Sequence, residues 1–87
     1  MKRSLHQLKT FKVLLSRTSI SQLNSLNEKI IKRIKESLQY LKEDPYMSRS
    51  GADIKKLKTF DDPKLYRLRV GDYRIIYFVL KDEVKVI

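Results

Sequence analysis

"YRLRVGDYRIIYFV", Tyr66 to Val79, decides the fold. Two runs of alternating character flank Gly71-Asp72, and a two-residue loop with glycine first is the signature of a type II′ hairpin turn. That turn sets the register: Val70 faces Tyr73, Arg69 faces Arg74, Leu68 faces Ile75 and Arg67 faces Ile76. Directly opposed residues point to the same side of a sheet. Tyr66, Leu68, Val70, Tyr73, Ile75, Tyr77 and Val79 therefore form one apolar face, and Arg67, Arg69 and Arg74 converge on the other.

The rest of the chain must cover that apolar face. "FKVLLS", Phe11 to Ser16, is short, apolar and bounded by polar residues, which predicts a strand. In "RTSISQLNSLNEK", Thr18 or Ser19 caps a short helix with Ile20 and Leu23 on its buried side. A second helix starts near residue 28, from a capping box of Ser25 and Glu28 or from Asn27. It carries Ile30, Ile31, Ile34, Leu38 and Leu41 at helical spacing and ends at Pro45. "YMSRSGADIKKLKTFDDPK" has no sustained period and reads as a long loop, broken by a short turn or helix at Asp53–Leu57. "KDE", Lys81 to Glu83, makes a second turn, and "VKVI" begins a last strand. The expected fold class is α+β: an N-terminal strand, a helical hairpin, then an antiparallel β-meander, with the helices packed on one face of the sheet.

The 87 residues predict a single domain over 1–87, with residues 1–10 as a basic lead-in. Cysteine is absent, which excludes disulfides and thiolate metal sites. No apolar run approaches the length of a membrane span. The 20 lysines and arginines against 10 acidic residues leave a net charge of +10, which attracts phosphate polymers or an acidic protein. The sole histidine, His6, lies in the lead-in, and Asp61-Asp62 before Pro63 reads as a turn. No metal-ligand spacing is present, so no metal and no cofactor are expected.

Three arginines at one place on a sheet have two explanations. One is a solvated face on which arginine stems cover apolar neighbours. The other is a polyanion platform, because guanidinium groups offer paired donors to phosphate oxygens. Lys55, Lys56, Lys58 and Lys64 precede the hairpin and are candidates for the rim of an RNA-binding surface. A metal-free phosphodiester cleavage needs a base for the 2′-hydroxyl, cations for the growing phosphoryl charge and a proton for the leaving oxygen. Arginine serves the second need well and the first poorly.

"KKLKTF…LYRLRVGDYRIIYFVLKDEVKVI", with the preceding strand and the helical hairpin ending "LKEDP", resembles the RelE/ParE superfamily of toxins from type II toxin–antitoxin systems. The similarity covers roughly residues 11–87 and is closer to the RelE branch of ribosome-dependent mRNA endonucleases. Under that resemblance Lys58 matches the basic residue that closes the segment before the hairpin. Arg67 and Arg69 match the alternating basic residues of the next strand, and Arg74 matches the arginine of the strand after it. The resemblance makes Arg67, Arg69 and Arg74 catalytic, holding mRNA and stabilising the scissile phosphate during 2′-hydroxyl attack. Family members can use a strand lysine as base; here both strand positions are arginine. The sequence also stops at Ile87, before a basic segment that in the family bears a further arginine and a tyrosine, so the expectation is a cytoplasmic endonuclease with attenuated cleavage. The implied partners are a cognate, RelB-like antitoxin, mRNA and the ribosomal RNA, with no membrane. Two other readings stand beside this one: a ParE-like inhibitor of gyrase, and a non-catalytic module that binds RNA or protein.

Overall fold

Gly71 adopts φ 58° while Asp72 stays out of the positive-φ region, as a type II′ turn requires. The computed structural model describes residues 10–87, and the backbone alone at residues 59–61. The lead-in before Thr10, with His6, lies outside the described residues. The strands joined by the turn are β3 (Lys64–Val70) and β4 (Tyr73–Leu80), and they pair in the expected register, with Arg69 opposite Arg74 and Arg67 opposite Ile76. Before them come β1 (Lys12–Leu15), α1 (Arg17–Asn24), α2 (Glu28–Glu43) and β2 (Asp53–Asp61), and β5 (Glu83–Val86) follows. The five strands form one sheet in the order β1-β5-β4-β3-β2. All neighbours are antiparallel except β1 and β5, which run parallel. The fold is α+β with both helices on one face.

β2 corrects the sequence reading. The stretch expected to be a loop with a turn or helix at Asp53–Leu57 is a nine-residue edge strand paired to β3. Its ladder runs regularly from Asp53 to Lys56, then shifts before Asp61 meets Lys64 across the turn at Asp62-Pro63. The helix caps also move. Ser16, not Thr18 or Ser19, caps α1, accepting from the Ser19 N–H at 3.0 Å. Ile20, expected on the buried side, is 43% exposed, and Ser19 is buried in its place. Asn27 caps α2 by accepting from the Ile30 N–H, and Ser25 closes α1 instead of opening a capping box.

The core lies between α2 and the covered face of the sheet. Ile34, Leu38 and Leu41 of α2 meet Ile54, Leu68, Val70, Tyr77, Val84 and Val86. Each fully buried aliphatic side chain contributes about 1.5–3 kcal/mol. Beyond α2, Arg49 folds back on the helix end. Its Nη1 donates to the Asp44 and Met47 carbonyls and its Nη2 to the Tyr40 carbonyl at 2.6 Å, tying the segment after α2 to the helix end.

Tyr77 joins the two layers. Its ring is fully buried and stacked on Tyr66, and its hydroxyl donates to the Pro45 carbonyl at 2.6 Å. Burial pushes the phenol well above its ordinary value. An acid held protonated by the fold contributes stability that is fully present below the unfolded value, about pH 10, and is lost as pH rises toward the folded value. Denaturant melts should therefore show the wild-type chain losing stability steeply above about pH 10. Tyr77→Phe should remove this titration from the alkaline limb, while costing about 1–3 kcal/mol at neutral pH for the carbonyl left unpaired. Parallel alkaline limbs in the two proteins would contradict this assignment.

Candidate nucleic-acid interface

The helices cover one side of the sheet, and the other carries the three arginines. Arg69 and Arg74 face each other across the β3–β4 ladder, with Arg67 two residues along β3. On the β2 side, Asp53 lies opposite Arg69 and Lys55 opposite Arg67, so both join the same face. The other lysines divide. Lys56 lies opposite Tyr66 and so belongs to the helix-covered side. Lys58 is exposed within the irregular part of β2, and Lys64 is exposed at the far end of the hairpin, opposite Asp61. Only Lys55 of the four thus sits in regular register beside the arginines. The tyrosines lie on the covered side as the register required, with Tyr77 buried, Tyr66 half-buried and Tyr73 at the exposed rim.

The three guanidinium groups differ in freedom. Arg74 is exposed. Arg69 is exposed but anchored, its Nε donating to the Gly71 carbonyl at 3.1 Å. Arg67 is the most constrained: its side chain is 17% exposed, and its Nη2 lies 3.3 Å from Oδ1 of Asp53. Its Nε is buried with no hydrogen-bond partner. A lone buried donor is costly, and an arriving acceptor relieves that cost. Asp53 and this pairing were missed from sequence. The pairing becomes visible only when β2 is read as a strand, which brings Asp53 beside the arginines.

The same face has apolar ground between its charges. Leu14 of β1 and Leu80 of β4 are exposed, and Ile76 and Phe78, on β4 with Leu80, are half-buried. No group of three metal-ligating side chains occurs among the described residues. The assembly can hold anionic groups and stabilise negative charge that grows on them.

A family model described as the ParE toxin of the type II toxin–antitoxin system parDE matches residues 12–87. The chain belongs to the RelE/ParE superfamily. It is a toxin of a type II toxin–antitoxin system. The toxin is 34% identical over 73 residues to a protein of Methanocaldococcus jannaschii named as the toxin RelE1, covering 84% of this chain and 78% of that one. Among solved structures, the archaeal RelE–RelB complex from Pyrococcus horikoshii superposes with a TM-score of 0.75 at 33% identity, covering 88% of this toxin and 89% of the matched chain. No helix among the described residues is long and apolar enough to cross a membrane.

Proposed function

We propose that this toxin is a ribosome-dependent mRNA endonuclease that acts in the cytoplasm and cuts without a metal, by attack of the 2′-hydroxyl on the adjacent phosphate. The observation that carries the reading is the convergence of Arg67, Arg69 and Arg74 on the uncovered sheet face. Strands hold charged groups in place before the substrate arrives, which is what stabilising a phosphoryl transition state needs. Arg69 and Arg74 clamp the scissile phosphate, and Arg67 supplies charge beside them. Lys55 extends the same face. Lys56, Lys58 and Lys64 act more distantly, by raising the local concentration of RNA.

Cleavage is attenuated for two reasons within the described face. Both strand positions are arginine, which is a poor proton acceptor near neutral pH. Asp53 also occupies the guanidinium of Arg67. Asp53→Asn should free that group and raise affinity for RNA about twofold to fivefold, the size of a partly exposed ion pair of ~0.5–1 kcal/mol. Titration of labelled RNA checks this, and an unchanged or weaker affinity counts against Asp53 as a brake. The reading as a whole is tested on ribosomes loaded with mRNA. Cuts mapped by primer extension in the ribosomal A site support it; intact mRNA at high toxin concentration overturns it.

The partner proposed for this toxin is an antitoxin of the RelB kind. The matched Pyrococcus horikoshii structure is a RelE–RelB complex. The uncovered face here, basic with Leu14, Phe78 and Leu80 between the charges, suits an acidic, amphipathic segment. A second reading, gyrase inhibition, is favoured by the family model, which is that of the ParE toxin. Loss of gyrase supercoiling with translation intact selects it.

A further inference from the structure

The arginine face does not end at the edge of the sheet. At the corner where β3 turns into β4, Arg33 of α2 meets the hairpin: a methyl group placed on Gly71 would lie 3.6 Å from its Nη1 and 3.8 Å from its Nη2. On the sheet side of the same glycine, Arg69 donates to the Gly71 carbonyl at 3.1 Å. Two guanidinium groups from different layers thus flank one residue that has no side chain to separate them. They share a cleft of about 720 Å³ that runs round the end of β2 from Arg69 to α2, with Ser37 and Tyr40 along its helical wall.

Arg33 is exposed, and no hydrogen bond or ion pair engages it among the described residues. The other cation of the cleft, Arg49, is committed to the end of α2. The two carboxylates of the cleft are Glu36, one turn along α2 from Arg33, and Asp53, which is paired with Arg67. Arg33 is therefore the free positive group at the point where the cleft opens beside Arg69. A free guanidinium in that position suits a phosphate, which it can engage with paired donors.

Resting on the RNA reading above, we infer that Arg33 is a further phosphate-binding residue: an RNA strand clamped by Arg69 and Arg74 crosses the Gly71 corner, and its next backbone phosphates lie in the cleft against α2. The sheet holds the reacting nucleotides and α2 holds the flanking strand. Arg33 is a binding residue for the track and takes no part in the chemistry.

The test uses fluorescein-labelled oligouridylates, a tetranucleotide and a dodecanucleotide, titrated with the intact chain over a range of salt. Each phosphate contact on a single strand contributes about 0.7 to the slope of log K against log salt. Arg33→Gln should lower the slope by about 0.7 with the dodecanucleotide and leave the tetranucleotide unchanged. Arg33→Lys should restore most of the loss. Lys35→Gln removes the same charge from the opposite stripe of α2, beside Ile31 and Glu28, and should change neither slope. Arg69→Gln should lower the slope with both probes. Equal slopes for Arg33→Gln and the wild-type chain, with Arg69→Gln still reduced, overturn the inference and leave the arginine face standing. No salt-dependent binding by the wild-type chain overturns both. Circular dichroism and melting of each variant confirm that the comparison is between folded proteins.

Discussion

Under the proposed ribosome-dependent cleavage, changing Arg67, Arg69 and Arg74 together to glutamine should abolish cutting of mRNA while leaving a folded protein. Losing one preorganised donor at a developing oxyanion costs about 10²–10³ in rate. Groups that act on one phosphate are not additive, so the triple variant should fall by about 10³ or more, not by the product of three losses. Its affinity for single-stranded RNA should lose about 2 from the salt slope, the share of three phosphate contacts. Stability should change far less. Arg69 and Arg74 are exposed, and exposed substitutions usually stay within about 0.5 kcal/mol. Arg67 is tied to Asp53 and mostly covered, so it contributes most of any loss. The checks are ribosome cleavage, RNA titration and a thermal melt on the same preparations. A triple variant that cuts mRNA at the wild-type rate removes the arginines from the chemistry, and one that fails to fold makes them structural.

Leu68→Ala should have the opposite profile. Leu68 is fully buried on the covered face, between Ile54 on β2 and Ile75 on β4 and within the core that α2 closes. Removing its branched end should cost about 2–5 kcal/mol, because a strand in mid-sheet cannot collapse onto the space. In a domain of this length each kcal/mol lowers the melting midpoint by about 4–8 °C. A loss of ~3 kcal/mol therefore means a drop of roughly 12–24 °C. Phe78→Ala, on the uncovered face, should cost markedly less. Scanning calorimetry distinguishes them, and equal losses at the two positions would mean that the face assignment is wrong.

These two variants separate what was legible in the sequence from what was not. Gly71-Asp72 made the hairpin readable, since a glycine-first turn fixes the pairing and alternation then assigns each side chain a face. The helical stripe of Ile34, Leu38 and Leu41 was equally plain, and so was its end at Pro45. β2 was hidden because "DIKKLKTF" does not alternate: Lys55 and Lys56 sit side by side and point to opposite faces, and only Ile54 of the opening residues is buried. An edge strand needs little apolar surface, so its pairing to β3 supplied order that its own pattern lacked. Local pattern alone also gave several residues equal standing as caps. Ser16 won because a start there lets Ser19 bond back to it, through both its N–H and its hydroxyl.

The candidate site divides in the same way. Register alone put Arg69 across from Arg74. Nothing local to Asp53 announced its hold on Arg67, since that contact depends on the unread strand. Arg33 was one more charge on the polar side of a helix until the packing of α2 carried it to the corner at Gly71. Contacts between layers have no periodic trace in a sequence, and charged residues have no preferred spacing that would betray them.

The parallel pairing of β1 with β5 bears on how the toxin comes to exist at all. Lys12 meets Glu83 and Leu15 meets Val86, so among the described residues β1 pairs only with β5, the strand farthest from it along the chain. Closing so long a loop costs entropy before the contact returns anything, and such pairings belong late on the route to the native state. During synthesis the meander and α2 can assemble while β1 waits. Substitutions in β1 should therefore speed unfolding and leave the refolding rate almost untouched.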